Sequence, residues 1–256
     1  MAGTSFAGSG TDLLAVGALP METTRLGDVM REIFLVQSAP EQWIIIAAGV
    51  LALLVVLARG PWRVARNVVT IVHEGGHALV ALFCGRQLSG IRLHSDTSGV
   101  TVTRGRPDGV GMVLTVLAGY VAPSIVGLLG ILMLAGDRIT ALLWISILLL
   151  LAMLLLIRNI YGVLSVVGTG LVIFGVSWFT PADVQAAFAY FFTWFLLVAG
   201  VRPVFELQAQ RRSMPTPQSD ADQLDRLTGV PGTAWVLLFG LINVAALGTG
   251  VWLLMF

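Results

Sequence analysis

Apolar residues fill long runs of this chain, and short polar stretches separate one run from the next. A helix needs about 20 predominantly apolar residues to cross the hydrocarbon core of a bilayer, with a range of about 17 to 25. Runs near that length predict an all-α polytopic membrane protein with about seven transmembrane helices. The predicted spans are Trp43–Ala58, Val64–Cys84, Val110–Leu134, Ala141–Ile157, Gly162–Phe179, Val184–Val201 and Ala234–Phe256.

The polar stretches between the runs predict the remaining organisation. Gln87–Arg106 alternates apolar and polar residues around Ser-Asp-Thr-Ser-Gly, a period-two pattern that is typical of a β-hairpin. Glu206–Thr233 contains two prolines and a cluster of aspartates before Pro231, and it predicts a polar cytoplasmic loop with about one helical turn. Residues 1–40 lack the basic start of a secretory signal. They predict a cytoplasmic segment that precedes a membrane-embedded domain over residues 41–256.

Composition and charge narrow the class of protein further. Apolar residues make up 57% of the chain and charged residues 11%, whereas soluble domains carry roughly 25% charged residues. A soluble globular protein is therefore excluded, and the net charge of +1 argues against a nucleic-acid partner. Cytoplasmic loops of membrane proteins are enriched in basic residues. Ten arginines fall on the N-terminal side of the predicted spans and four on the other, so we expect the N-terminus to be cytoplasmic.

The second predicted span carries the candidate chemistry, because His73-Glu74-Gly75-Gly76-His77 matches the pattern H-E-x-x-H. Residues i and i+4 of a helix share one face, so both imidazoles can bind one metal ion. Zinc is the expected ion, and Glu74 is the expected general base toward a zinc-bound water. Charged residues inside a spanning helix cost about 2.5–3.5 kcal/mol each by insertion scales, and a metal ion would offset that cost.

A second interpretation of the same helix needs no metal. Asn67, Thr70, Glu74 and His77 follow one another at helical spacing and could line a polar path through the membrane. That pattern would suit a small transporter. The hypothesis is weaker because the other predicted spans contain no matching charged groups.

The order of these features resembles the site-2 protease family of intramembrane zinc metallopeptidases, specifically its bacterial branch with many spans. The resemblance rests first on Val72–Leu82 (VHEGGHALVAL) and on the hairpin that follows it. Weaker similarities complete it, and these are Gly119–Pro123, Arg158–Gly162 and Ser219–Leu224. The resemblance implies that His73 and His77 bind zinc, that Glu74 is catalytic, and that the protein lies in a bacterial cell membrane.

The third metal ligand does not follow directly from the resemblance. The family uses an Asp in a Leu-Asp-Gly motif on a later span, and this sequence lacks that motif. Asp220 is the first candidate, since Ser219-Asp220-Ala221 is the part of the polar loop that most resembles the family. Asp222 is the second candidate and Asn159, near the end of the fourth predicted span, is the third. Alternatively, the aspartates only solvate the loop.

Two functional hypotheses follow from these observations. The first is an intramembrane zinc metalloendopeptidase that cleaves membrane-spanning protein substrates near the cytoplasmic face, with the lipid bilayer and a transmembrane protein as partners. The hairpin would pair with an unwound substrate segment by strand addition. The second hypothesis is a non-catalytic membrane protein of the same fold that binds metal or membrane partners without hydrolysis. The missing Leu-Asp-Gly motif favours this alternative.

Overall fold

The structure is a computed structural model that describes residue 27, residues 35–213 and residues 219–255. From residue 35 onward, long helices form most of the described chain, and one pair of strands interrupts them. The elements are α1 (Gln42–Leu57), α2 (Arg59–Phe83), β1 (Gln87–Leu93), β2 (Gly99–Arg104), α3 (Val110–Ala135), α4 (Ile139–Leu154), α5 (Ile160–Phe179), α6 (Ala182–Ser213), α7 (Asp220–Thr228) and α8 (Gly232–Met255).

The prediction of seven spans is not confirmed. Four of the described helices, α3, α5, α6 and α8, are long and apolar enough to cross a membrane. A fifth span is obtained only if α1 and α2 count together, and these two helices meet at an angle of 101°. The 16 residues of α4 extend about 24 Å, which is short of the roughly 30 Å hydrocarbon core. Apolar runs alone do not reveal such a bend or such a shortfall in length.

The predicted hairpin is confirmed. β1 and β2 pair antiparallel, with Gln87 opposite Arg104 and Leu93 opposite Gly99. The outer edge of β1 is also occupied, because the Ile91 amide donates to the Leu156 carbonyl and the Ile91 carbonyl accepts from the Arg158 amide. Within the described residues the sheet has only these two strands. The outer edge of β2 is therefore free of a strand partner.

The predicted polar loop over residues 206–233 is wrong in its local structure. Its first eight residues continue α6 to Ser213, and α7 adds nine helical residues. Helix α7 begins with the Ser219 side chain accepting a hydrogen bond from the Asp222 amide, a standard N-cap. Residues 214–218 of this stretch, and most of the predicted N-terminal segment 1–40, lie outside the described residues.

Helix α7 is held against the bundle by apolar and ionic contacts. Ala221 and Leu224 are fully buried in a cluster with residues of α3, α6 and α8. Arg211, in the last turn of α6, forms an ion pair of 2.8 Å with Asp222. These contacts fix the first turn of α7 against the adjoining helices, and that turn contains Asp220.

Close packing of α2 on α3 depends on small residues. A Cβ at Gly76 would overlap the Ala122 Cβ and lie 3.0 Å from the Ala118 carbonyl oxygen. At the neighbouring Gly75 an added Cβ would only contact the Met153 sulfur, at 3.7 Å. The two glycines of the motif therefore have different roles, and only Gly76 is required for the approach of α3.

This difference predicts opposite effects of two matched substitutions. Gly76→Ala should lower the free energy of unfolding by about 1–3 kcal/mol, because the new methyl group forces α2 and α3 apart. Gly75→Ala should leave stability unchanged or raise it, since alanine is the better helix former by about 1 kcal/mol. Thermal unfolding of the two purified variants in detergent measures the difference. Equal stability of both variants would contradict the packing described here.

Candidate metal centre

Helix α2 brings the two histidines of the motif onto one face, one turn apart. The Nε2 atoms of His73 and His77 lie 3.1 Å from each other, with the rings nearly perpendicular. The His77 Nδ1 atom lies 2.7 Å from the Thr115 carbonyl oxygen on α3. When a neutral imidazole donates a hydrogen bond from Nδ1, its Nε2 atom keeps a lone pair that can bind a metal. Such contacts with backbone carbonyls commonly orient histidine ligands.

Helix α3 supplies the surface on which the rings rest. A Cβ at Gly119 would overlap the His77 ring and lie 2.7 Å from the His73 Cε1 atom. Tyr120 contacts His73 edge to face, with ring centroids 4.9 Å apart, and stacks on Phe239 of α8. Sequence reasoning included Gly119 and Tyr120 in a family similarity, but it gave them no role at the site. It did not identify Thr115 at all, because a backbone carbonyl leaves no signal in the sequence.

Asp220, on α7, is the third side chain of the group formed with His73 and His77. Its Oδ2 atom lies 3.3 Å from the Nε2 atom of His73 and 3.3 Å from that of His77. The same oxygen is buried and forms no hydrogen bond within the described structure. Burial alone would raise the pKa of the Asp220 carboxyl, but attraction to His77 and contact with His73 outweigh it and hold the pKa well below its usual range. The carboxylate is therefore ionised.

The dimensions of this group fit a zinc ion. Nitrogen and oxygen ligands at about 2.0–2.2 Å from a tetrahedral zinc lie about 3.3–3.6 Å from one another. The three donor atoms of His73, His77 and Asp220 are separated by 3.1, 3.3 and 3.3 Å. Within the described residues, these three form a cluster of histidine and acidic side chains that could hold a metal ion. Three ligands would leave a fourth position for water or substrate, as in hydrolytic zinc sites.

Glu74 lies beside the histidines but bonds to the hairpin. Its side chain is 3% exposed, and its Oε2 atom accepts a hydrogen bond of 2.6 Å from the Thr101 hydroxyl of β2. A Cβ at Gly99 would overlap the same carboxylate. The hairpin therefore covers Glu74 closely and positions one of its two oxygens. Thr101 lies in the hairpin whose sequence resembles the family, but no local pattern predicts its bond to Glu74.

The two alternative third ligands bond elsewhere. The Asp222 carboxylate pairs with Arg211 and accepts from the Ser219 hydroxyl. The Asn159 side chain donates to the Leu93 carbonyl at 2.7 Å and accepts from the Leu93 amide at 3.2 Å, so it binds the end of β1. The structure thus brings only Asp220, of the three candidates, into contact with both histidines.

The polar stripe along α2 is bonded to neighbouring elements. Asn67 accepts a hydrogen bond of 3.0 Å from the Tyr161 hydroxyl, and the Thr70 hydroxyl donates to the Thr97 carbonyl at 2.8 Å. With Glu74 bonded to Thr101, the stripe holds α5 and the hairpin against α2. These contacts favour a supporting role over a transport path.

Comparison with known proteins agrees with this geometry. A family model described as Peptidase M50B-like matches residues 46–250, and the chain belongs to this family. The matched range includes both histidines, Glu74, the hairpin and Asp220. The family match and the helices long enough to span a membrane together identify an integral membrane protein of a peptidase family within the site-2 proteases. No curated protein and no solved structure matches the chain.

The donor arrangement predicts the effect of neutralising Asp220. Asp220→Asn should weaken zinc binding about 10-fold or more, because even residues that only support a ligand change affinity 10- to 100-fold. Asp222→Asn should have a smaller effect, since that carboxylate only holds α7 in place. Zinc content after dialysis against buffered free zinc measures both.

Asp96→Asn is the matched control, because Asp96 bonds to Ser98 in the hairpin turn and should leave zinc affinity unchanged. Normal zinc content in Asp220→Asn, together with a loss in Asn159→Ala, would contradict the arrangement and point to Asn159, at the start of α5.

Proposed function

We propose that this protein is an intramembrane zinc metalloendopeptidase that cleaves membrane-spanning protein substrates near the cytoplasmic face. One observation carries the proposal, namely the contact of the Asp220 carboxylate with the Nε2 atoms of both His73 and His77. The family match supports peptide hydrolysis as the reaction. Asp220 takes the place of the Leu-Asp-Gly aspartate that the sequence lacks.

Each residue of the site has a separate role in the proposed hydrolysis. A zinc ion bound by His73, His77 and Asp220 would supply Lewis acidity, polarising the scissile carbonyl and acidifying the attacking water. Glu74 accepts the proton of that water and delivers it to the leaving amine. The Thr101 hydroxyl holds one Glu74 oxygen, which leaves the other oxygen for proton transfer. Close packing around Glu74 excludes bulk water from the base.

The hairpin supplies main-chain partners to the substrate. A transmembrane helix that unwinds for cleavage loses its internal hydrogen bonds, which is costly where water is scarce. The free edge of β2 can replace those bonds by strand addition. Because β2 also contacts Glu74 through Thr101, an added strand would pass directly beside the base.

The orientation in the membrane is part of the proposal. Helix α7 and the hairpin border one cleft, to which Gln223 and Thr101 both contribute. These two elements therefore lie at the same end of the bundle, as the arginine distribution predicts for residues 87–106 and 206–233. We infer that this end, together with the N-terminus, faces the cytoplasm of a bacterial cell.

One observation favours the alternative function, a non-catalytic protein of the same fold. The Glu74 carboxylate is covered by Gly99 and bonded to Thr101, so the base is engaged before any substrate arrives. A protein that held metal or a membrane partner without hydrolysis would tolerate this contact.

A cleavage assay with Glu74→Gln separates the two functions. The purified protein is mixed in detergent with a panel of reporters, each with one membrane-spanning helix and a tag at both ends. Wild type should cleave at least one reporter, and Glu74→Gln should lose about 10²–10⁴-fold in rate, the usual contribution of a general base. Zinc content should stay unchanged, because Glu74 is not a ligand.

Glu41→Gln is the matched control, since Glu41 is exposed and its carboxylate accepts a hydrogen bond from the neighbouring Trp43 indole, away from the site. It should cleave like wild type. Cleavage by zinc-loaded Glu74→Gln at the wild-type rate would contradict the proposal, and so would a zinc-loaded wild type that cleaves none of the reporters.

A further inference from the structure

A cleft of about 610 Å³ runs along the free edge of β2. Its lining includes the consecutive β2 residues 101–104, together with Arg86 and Gln223. Consecutive side chains of a strand point to opposite faces of a sheet. A cavity that touches every residue from Thr101 to Arg104 therefore follows the strand edge, where an added strand would lie.

The cleft adjoins the metal centre on two sides. Thr101 lines the cleft and donates to the Glu74 carboxylate at 2.6 Å. Gln223 faces it from α7, one helical turn after Asp220. A peptide in the cleft therefore lies between the base and the helix that carries the proposed third ligand.

The charge of the cleft is positive and uncompensated. Its lining includes Arg86 and Arg104 and no acidic residue. Arg86 is only 9% exposed, yet its guanidinium binds neutral oxygens alone, the Thr103 hydroxyl at 3.1 and 3.2 Å and the Arg106 carbonyl at 2.5 Å. Neither arginine forms an ion pair within the described part of the chain. The cleft therefore carries two positive charges and no carboxylate among its lining residues, which favours an anionic partner.

We propose that this cleft binds an extended substrate segment that carries an acidic side chain, which Arg104 recognises, while Arg86 adds positive charge to the same cleft. The proposal rests on the function proposed above and specifies its substrate class. Arg104 lies three residues along β2 from Thr101, or about 10 Å at the rise of a strand. The residue opposite Thr101 passes beside Glu74. The acidic residue therefore belongs about three positions from the scissile bond.

Peptide binding to the full-length Glu74→Gln protein tests this specificity without cleavage. The probe is a fluorescent peptide of about ten alternating Val and Thr residues with one central Asp, and its twin carries Asn instead. Fluorescence anisotropy in neutral detergent should show about 10-fold or more tighter binding of the Asp peptide, because charge-assisted hydrogen bonds are the stronger ones.

Variants of the arginines locate the interaction. Arg104→Gln should abolish the preference for Asp, and Arg104→Glu should reverse it in favour of a twin peptide with Arg. Arg92→Gln is the matched control, because Arg92 is exposed on β1 and does not line the cleft. It should keep the preference. Equal binding of the Asp and Asn peptides, or binding of neither, would overturn the proposal.

Two further arms separate this proposal from others. N-methylation of alternate peptide amides should abolish binding, since strand addition uses those groups. If N-methylation abolishes binding but Asp and Asn bind equally, acidic specificity is wrong and strand addition stands. If the protein fails the zinc and cleavage tests but still prefers the Asp peptide, the proposed function is wrong and the acidic specificity of the cleft stands. Loss of the preference on adding phosphatidylglycerol, but not phosphatidylcholine, would overturn the proposal in favour of a lipid headgroup.

Discussion

The contact of one carboxylate oxygen with two imidazole nitrogens is the constraint on which the rest of this structure depends. His73, His77 and Asp220 direct three electron-pair donors at one point, within 3.3 Å of one another. Lone pairs this close repel each other unless a bound metal ion or a shared proton lies between them, and burial makes that repulsion stronger. The helices around the site hold these three side chains together.

Each neighbouring element maintains this arrangement by a different physical means. Helix α3 approaches α2 closely because Gly76 and Gly119 lack side chains, and the Thr115 carbonyl orients the His77 ring. Helix α7 holds Asp220 over the rings through its buried leucine and alanine and the Arg211–Asp222 ion pair. The hairpin fixes Glu74 beside the rings. The candidate metal centre therefore requires at least four elements to pack correctly.

Local patterns in the sequence predicted the local features of this protein. The H-E-x-x-H helix follows from spacing, and the hairpin follows from alternation around a turn. Similarity to a family singled out Asp220, and the structure places it against both histidines, while its role as a ligand stays a prediction. The seven-span count is not confirmed, and the predicted polar loop over residues 206–233 is largely helical. The α1–α2 bend and the continuation of α6 depend on tertiary packing, which local patterns do not encode. The contacts of Thr101 and Thr115 with the site join residues 27 and 38 positions apart, and no local pattern encodes them.

X-ray absorption at the zinc edge of the purified protein tests the central claim most directly. The account predicts one zinc ion per chain with four nitrogen or oxygen ligands at about 2.0–2.2 Å, two of them with the scattering pattern of imidazole. In His77→Ala one imidazole contribution should disappear. A protein that binds no zinc after exposure to it, or whose zinc has a sulfur ligand at about 2.3 Å, would contradict the account.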